Sequence, residues 1–88
     1  MMINITELKK KIIYRSNYRG TKEMDKLLGS FTRKYINILK DEELMYLCDL
    51  LDYDDENLYK FNQGQKISIK INSNSVSELF KNFVYVNE

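Results

Sequence analysis

Thr21-Lys22-Glu23-Met24-Asp25-Lys26-Leu27-Leu28-Gly29-Ser30-Phe31 places Met24, Leu27, Leu28 and Phe31 at i, i+3, i+4 and i+7. That spacing puts four apolar side chains on one face of an α-helix. The series runs on through Tyr35, Ile38 and Leu39, and Thr21 is a suitable N-cap. Gly29-Ser30 either bends this helix or divides it in two. Upstream, Asn4 or Thr6 can cap a first helix with Ile5, Leu8 and Ile12 on one face, running to about Asn17. Gly20 then supplies a positive φ for a tight turn between the two helices.

Downstream, Asp41 reads as the cap of a third helix that turns Leu44, Leu47, Cys48 and Leu51 inward, with Glu42 and Glu43 at its dipole-favoured start. Asp54 and Asp55 break it and read as caps of a short helix through Phe61 that ends before Gly64. Ile67, Ile69 and Ile71 alternate with polar residues, which is strand periodicity. A lone strand has no partner here, so the expectation is an extended segment laid along the helices. Ser75-Val76-Ser77-Glu78 has the spacing of a capping box and opens a last helix carrying Val76, Leu79, Phe80 and Phe83. The fold class expected is all-α, a small antiparallel bundle of about five helices in one domain over 1–88.

Eighty-eight residues without Pro, 43% of them hydrophobic, suit one small core. No apolar run approaches the roughly 18–20 residues of a bilayer span, so no membrane partner is expected. The net charge of +1 conceals a strong segregation. Residues 1–40 carry ten basic and three acidic side chains, whereas residues 41–63 carry eight acidic side chains against Lys60 alone. Either the two halves neutralise each other by packing, or the first half is a basic face for an acidic partner. The acidic block disfavours nucleic acid, although a nucleic-acid-binding helical protein stays testable by salt-dependent retention.

Catalytic chemistry is sparse. The chain has no His, the usual neutral-pH base and commonest transition-metal ligand. The single Cys48 falls on an apolar stripe and reads as structural. Asp52, Asp54, Asp55 and Glu56 lack the order and central Gly of a calcium loop, so capping and solvation outweigh metal binding. No Gly-rich phosphate loop and no nucleophile–base pair is present. The reading is a binding module, not an enzyme, with no metal and no cofactor held stably.

Arg19-Gly20-Thr21-Lys22-Glu23, preceded by Tyr14-Arg15 and Tyr18, is the leading candidate surface. Only three of the 14 basic residues are Arg, and two of them flank this turn. Arg differs from Lys where a carboxylate or aromatic face must be gripped with fixed geometry.

This turn, with Met24-Asp25 after it, resembles the Arg-Gly-x-x-Glu signature of the succinate dehydrogenase assembly factor 2 family, the SdhE-like flavinylation factors. Phe31, Leu39 with Asp41-Glu42-Glu43, Leu50-Leu51-Asp52-Tyr53-Asp54-Asp55, Leu58-Tyr59 and Phe61 follow in register with the family pattern. Departures are Tyr18 in place of a basic residue, Glu56 in place of Pro and Phe61 in place of Trp; nothing is carried over to the tail from about residue 64. The resemblance implies an all-α assembly factor that binds the flavoprotein subunit of succinate dehydrogenase, with the fumarate reductase flavoprotein as a second candidate. It implies promotion of covalent FAD attachment to a His of that partner, in the bacterial cytoplasm, since no Arg-rich presequence is seen.

On this resemblance Arg19 grips a carboxylate or carbonyl of the partner, Gly20 permits close backbone approach, and Glu23 pairs with a cation or amide. Tyr14, Arg15 and Tyr18 border the patch. Arg19→Ala and Glu23→Ala are then expected to weaken binding more than stability, and Gly20→Arg to block docking with the fold intact. A generic helical adaptor with a basic binding face is the alternative.

Overall fold

The computed structural model describes residues 4–86 and contains five helices: α1 (Ile5–Asn17), α2 (Lys22–Tyr35), α3 (Asp41–Leu50), α4 (Asp55–Asn62) and α5 (Ser75–Lys81). The outer residues of the expected 1–88 domain lie outside this description. No strand occurs among the described residues. α1 packs on α2 and α3, and α5 packs on α3 and α4.

Each helix starts where a side chain can satisfy the free amides of its first turn. Asn4 Oδ1 accepts from Glu7 N (3.1 Å), and Thr21 Oγ1 accepts from Met24 N (3.2 Å). α3 begins one residue earlier than expected. Lys40 is the N-cap, and Glu43 reaches back to accept from Lys40 N (3.0 Å), which leaves Asp41 as the first helical residue. Asp54 caps α4 as read, but Asp55 does not cap; it is the first residue of the helix and its carboxylate leaves it altogether. α5 is capped by Asn74, whose Oδ1 accepts from Val76 N (3.0 Å) and Ser77 N (2.8 Å), while Ser77 Oγ accepts from Asn74 N (2.9 Å). The box thus stands one residue before Ser75. Released from capping, Ser75 donates to Glu43 Oε2 (2.8 Å) and ties α5 to α3.

Two glycines behave differently from their sequence reading. Gly29 neither bends nor divides α2. A Cβ there would lie 2.6 Å from Asn17 Oδ1, so its role is to admit the end of α1 against α2. The residue with positive φ is Gly64 (φ 74°), not Gly20. Gly64 N donates to Phe61 O (3.2 Å) and Gln65 N to Lys60 O (2.8 Å), the paired bonds of a Schellman ending for α4.

The core gathers Ile12, Met24, Leu27, Leu28, Phe31, Ile36, Leu44, Leu47, Leu50, Leu51, Leu58, Ile71, Val76 and Phe80. Phe31 sits at its centre, with Phe80 (5.2 Å between ring centroids) and Phe83 (5.4 Å) meeting it edge-on. The apolar series of α2 stops at Tyr35. The chain turns through 36–39, so Ile36 enters the core and Ile38 is left outside. Residues 66–72 form neither helix nor strand and bend at 68–69, with Ile71 buried, Ile67 half-buried and Ile69 exposed. Buried Asn62 donates to Phe80 O (2.8 Å) and Phe83 O (2.9 Å), which holds the end of α5 on α4.

Candidate functional site

The turn between α1 and α2 is built on two arginines. Arg15 stands in the last turn of α1 and Arg19 lies just beyond its C-cap Tyr18, and both reach the same neighbour, the C-terminal end of α3. That end needs cations, because α3 carries no basic residue in its own last turn. Arg15 Nη1 donates to Cys48 O (3.4 Å) and contacts Cys48 Sγ (3.5 Å), while Nη2 pairs with Asp52. Arg19 Nη1 donates to Leu51 O (3.1 Å) and Nη2 to Tyr53 O (3.0 Å). Its Nε donates to Asp55 Oδ1 (2.8 Å).

Arg19 is therefore not an outward hand. Its side chain is 10% exposed, and each guanidinium nitrogen has an acceptor in its own chain. The groups its guanidinium contacts are in its own chain. It grips a carboxylate and carbonyls, and they belong to α4 and to the α3–α4 turn. A planar fork with several fixed donors suits those converging acceptors, which a single ammonium cannot satisfy together. Arg15 is likewise turned inward, with a quarter of its side chain exposed.

Part of the acidic block is engaged within the chain too. Asp52 pairs with Arg15, Asp54 caps α4 and donates nothing, Asp55 pairs with Arg19, and Glu56 pairs with Lys60 (3.1 Å). Side-chain and backbone donation from Asn57 holds the Asp54 carboxyl below its ordinary range. Two carboxylates of the acidic segment, Asp52 and Asp55, thus meet basic side chains of the first half at this seam. Among the described residues no group of three or more His, Cys, Asp or Glu is arranged to hold a metal ion.

The backbone of the turn is fixed by carboxylates from two directions. Arg19 N donates to Asp25 Oδ1 on α2, and Gly20 N donates to Asp55 Oδ2 (2.8 Å) on α4. Gly20 is exposed, yet a Cβ on it would approach Asp55 Oδ2 to 3.1 Å. Asp25 and Asp55 were not recognised as turn-holding residues from the sequence. The signal was present in the matched spacings, Arg15 and Arg19 four apart against Asp52 and Asp55 three apart.

What the turn shows to solvent is different. Tyr14 and Tyr18, 65% and 71% exposed, stack at 4.6 Å between centroids beside partly exposed Ile13, over a shallow hollow edged by Lys10 and Asn17. Glu23 stands exposed on the first turn of α2, with no hydrogen bond or ion pair among the described residues. It borders a groove of about 540 Å³ that continues past Lys26, Leu27 and Tyr59 to Lys81 and Tyr85. Every described helix has a carboxylate in its first turn: Glu7 in α1, Glu23 in α2, Asp41 in α3, Asp55 in α4 and Glu78 in α5. A pyrophosphate seeking a helix N-terminus meets negative charge at each one. Among the described residues no helix is long and apolar enough to cross a membrane.

A family model described as "Flavinator of succinate dehydrogenase" matches residues 10–84. The FAD assembly factor SdhE of Wigglesworthia glossinidia brevipalpis is similar, with 35% identity over 51 residues, covering 58% of this chain and 61% of that protein. The match therefore spans about three fifths of the length of that curated relative. No solved structure matches the chain.

Proposed function

The chain belongs to the family of flavinators of succinate dehydrogenase, and we propose that it acts as an assembly factor, not an enzyme, on the flavoprotein subunit of that complex. In this reading it docks through the α1–α2 turn and promotes covalent attachment of FAD to a His of the partner. The observation that carries the reading is the division of the turn into two sides. Arg15, Arg19 and the Gly20 amide are committed inward, and they hold a stacked Tyr14–Tyr18 pair and an unpaired Glu23 outward on a fixed backbone. Exposed Tyr rings offer large contact area at low entropic cost, and a free carboxylate at a rigid corner can take a cation or amide of the partner.

The mechanism follows from what this chain lacks. Without His, it cannot supply the acceptor imidazole. In the proposed reading FAD is carried by the flavoprotein. The assembly factor contributes by binding better to the flavoprotein conformation that brings imidazole and flavin together. Holding reactants in that geometry can lower a barrier by several kcal/mol, on the order of 7 or more in well-oriented cases.

Co-expression with the succinate dehydrogenase flavoprotein, scored by in-gel fluorescence of covalently bound flavin, tests the reading. More covalent flavin with the factor than without it, together with a complex recoverable by co-purification, is expected. Equal flavinylation and no complex would reject it. The same assay with the fumarate reductase flavoprotein identifies the preferred partner.

A further inference from the structure

The Arg-Gly turn is shaped from α4. One carboxylate, Asp55, holds two consecutive residues of it: Oδ1 accepts from Arg19 Nε and Oδ2 accepts from Gly20 N, both at 2.8 Å. Asp55 is itself only partly accessible, with 26% of its side chain exposed. It belongs to the first turn of α4, which Asp54 caps independently through Asn57. The turn therefore has a support that is separable from the helix start beside it.

We propose that Asp55 is a positioning residue of the docking edge: it fixes the turn from behind, so that Tyr18 and Glu23 are presented in one geometry. The proposal rests on the docking role argued above. It also assigns a physical reason to the glycine. Gly20 does not use the left-handed region that a side chain avoids. A Cβ would crowd the Asp55 oxygen at 3.1 Å, the same oxygen that accepts the Gly20 amide. Glycine lets the carboxylate come close without that crowding. Asp25 closes the other side of the turn by accepting from Arg19 N.

Asp55→Ala tests this against Asp54→Ala, which strips the adjacent cap from the same helix without touching the turn. Two readouts are needed: amide hydrogen exchange at Gly20, and affinity for the flavoprotein subunit by titration of the purified proteins. Asp55→Ala is expected to speed Gly20 exchange at least tenfold and weaken binding at least tenfold. Asp54→Ala is expected to leave both within about twofold at a temperature where each variant is folded. Should Asp55→Ala fail to fold, Asp55→Asn takes its place. It keeps the volume and an acceptor for the Gly20 amide, but turns an amide towards the Arg19 guanidinium, and the same tenfold loss of binding is expected.

Unchanged Gly20 exchange in Asp55→Ala overturns the proposal, as does equal loss of binding in the Asp54 and Asp55 variants. If the unsubstituted protein does not bind the flavoprotein, the docking role fails first. The exchange result then still reports whether Asp55 shapes the turn.

Discussion

Replacing Arg19 by Lys keeps the charge and removes the fork, which makes it the sharpest probe of how the turn is built. The guanidinium donates Nε to Asp55 Oδ1 (2.8 Å), Nη1 to Leu51 O (3.1 Å) and Nη2 to Tyr53 O (3.0 Å), from a side chain 10% exposed. A Lys ammonium on its flexible stem can serve one of these places well. Two charge-assisted hydrogen bonds are then lost, each worth about 1.5 kcal/mol at the low end. The retained charge near the end of α3 returns up to about 1 kcal/mol. The net loss is about 2 kcal/mol, a large share of the roughly 5–15 kcal/mol that holds a small domain folded. For a chain of this size that corresponds to a melting point lower by about 8–16 °C. Urea unfolding at pH 7 should show a lower midpoint with an unchanged slope, since the surface exposed on unfolding is the same. Tyr18→Ser, at an exposed position on the same turn, is the control and should stay within about 0.5 kcal/mol. An Arg19→Lys protein as stable as that control would refute the inward reading of Arg19.

Glu23→Gln should leave the unfolding free energy from urea titration within about 0.5 kcal/mol, the size of a helix-dipole contribution, while weakening flavoprotein binding in a titration; loss of fold in this variant would place Glu23 in the internal network instead. Tyr14→Ser combined with Tyr18→Ser should lower covalent flavin in co-expression at unchanged far-UV circular dichroism, because both rings are exposed and stack only on each other. Acid should expose the carboxylates that cap helices. The Lys40 amide and Ser75 hold Glu43 below its ordinary value, and Asn57 does the same for Asp54. A carboxyl with a depressed folded pKa contributes stability above its unfolded pKa and loses it as pH falls through the folded one. The urea midpoint should therefore fall on acidification from the ordinary carboxylate range downward, and Glu43→Gln should make that fall shallower.

The helices were legible because each is announced locally. The i, i+3, i+4, i+7 face of Met24, Leu27, Leu28 and Phe31 is buried as read, and Asn4, Thr21 and Asp54 cap where their side chains suggested. Errors of one residue at α3 and α5 have a common cause. The residue supplying the box is chosen by which reciprocal bond closes, Glu43 to Lys40 N or Ser77 to Asn74 N, and several polar neighbours compete for it. Ile38 was misread because periodicity cannot see a turn at 36–39 that puts Ile36 inside instead. Gly20 and Gly29 were misread for a shared reason. A glycine can answer a backbone angle or a neighbour's closeness, and only the three-dimensional neighbours, Asp55 and Asn17, separate the two.

The arginines carry the larger lesson about the site. Choosing Arg over Lys did signal fixed-geometry gripping of carboxylates and carbonyls, but sequence cannot say whose groups are gripped. Here the acidic residues at 52 and 55 and the carbonyls ending α3 are within the same chain, so the charge of these two arginines is spent internally. The Arg-Gly-x-x-Glu pattern thus divides by direction. Arg19 and Gly20 answer to Asp55, and Glu23 answers to solvent. It follows that lost function in an Arg19 or Gly20 variant has two distinct origins, a contact removed or a turn reshaped. Only a variant at an outward residue, with the turn's hydrogen exchange unaltered, isolates the contact itself.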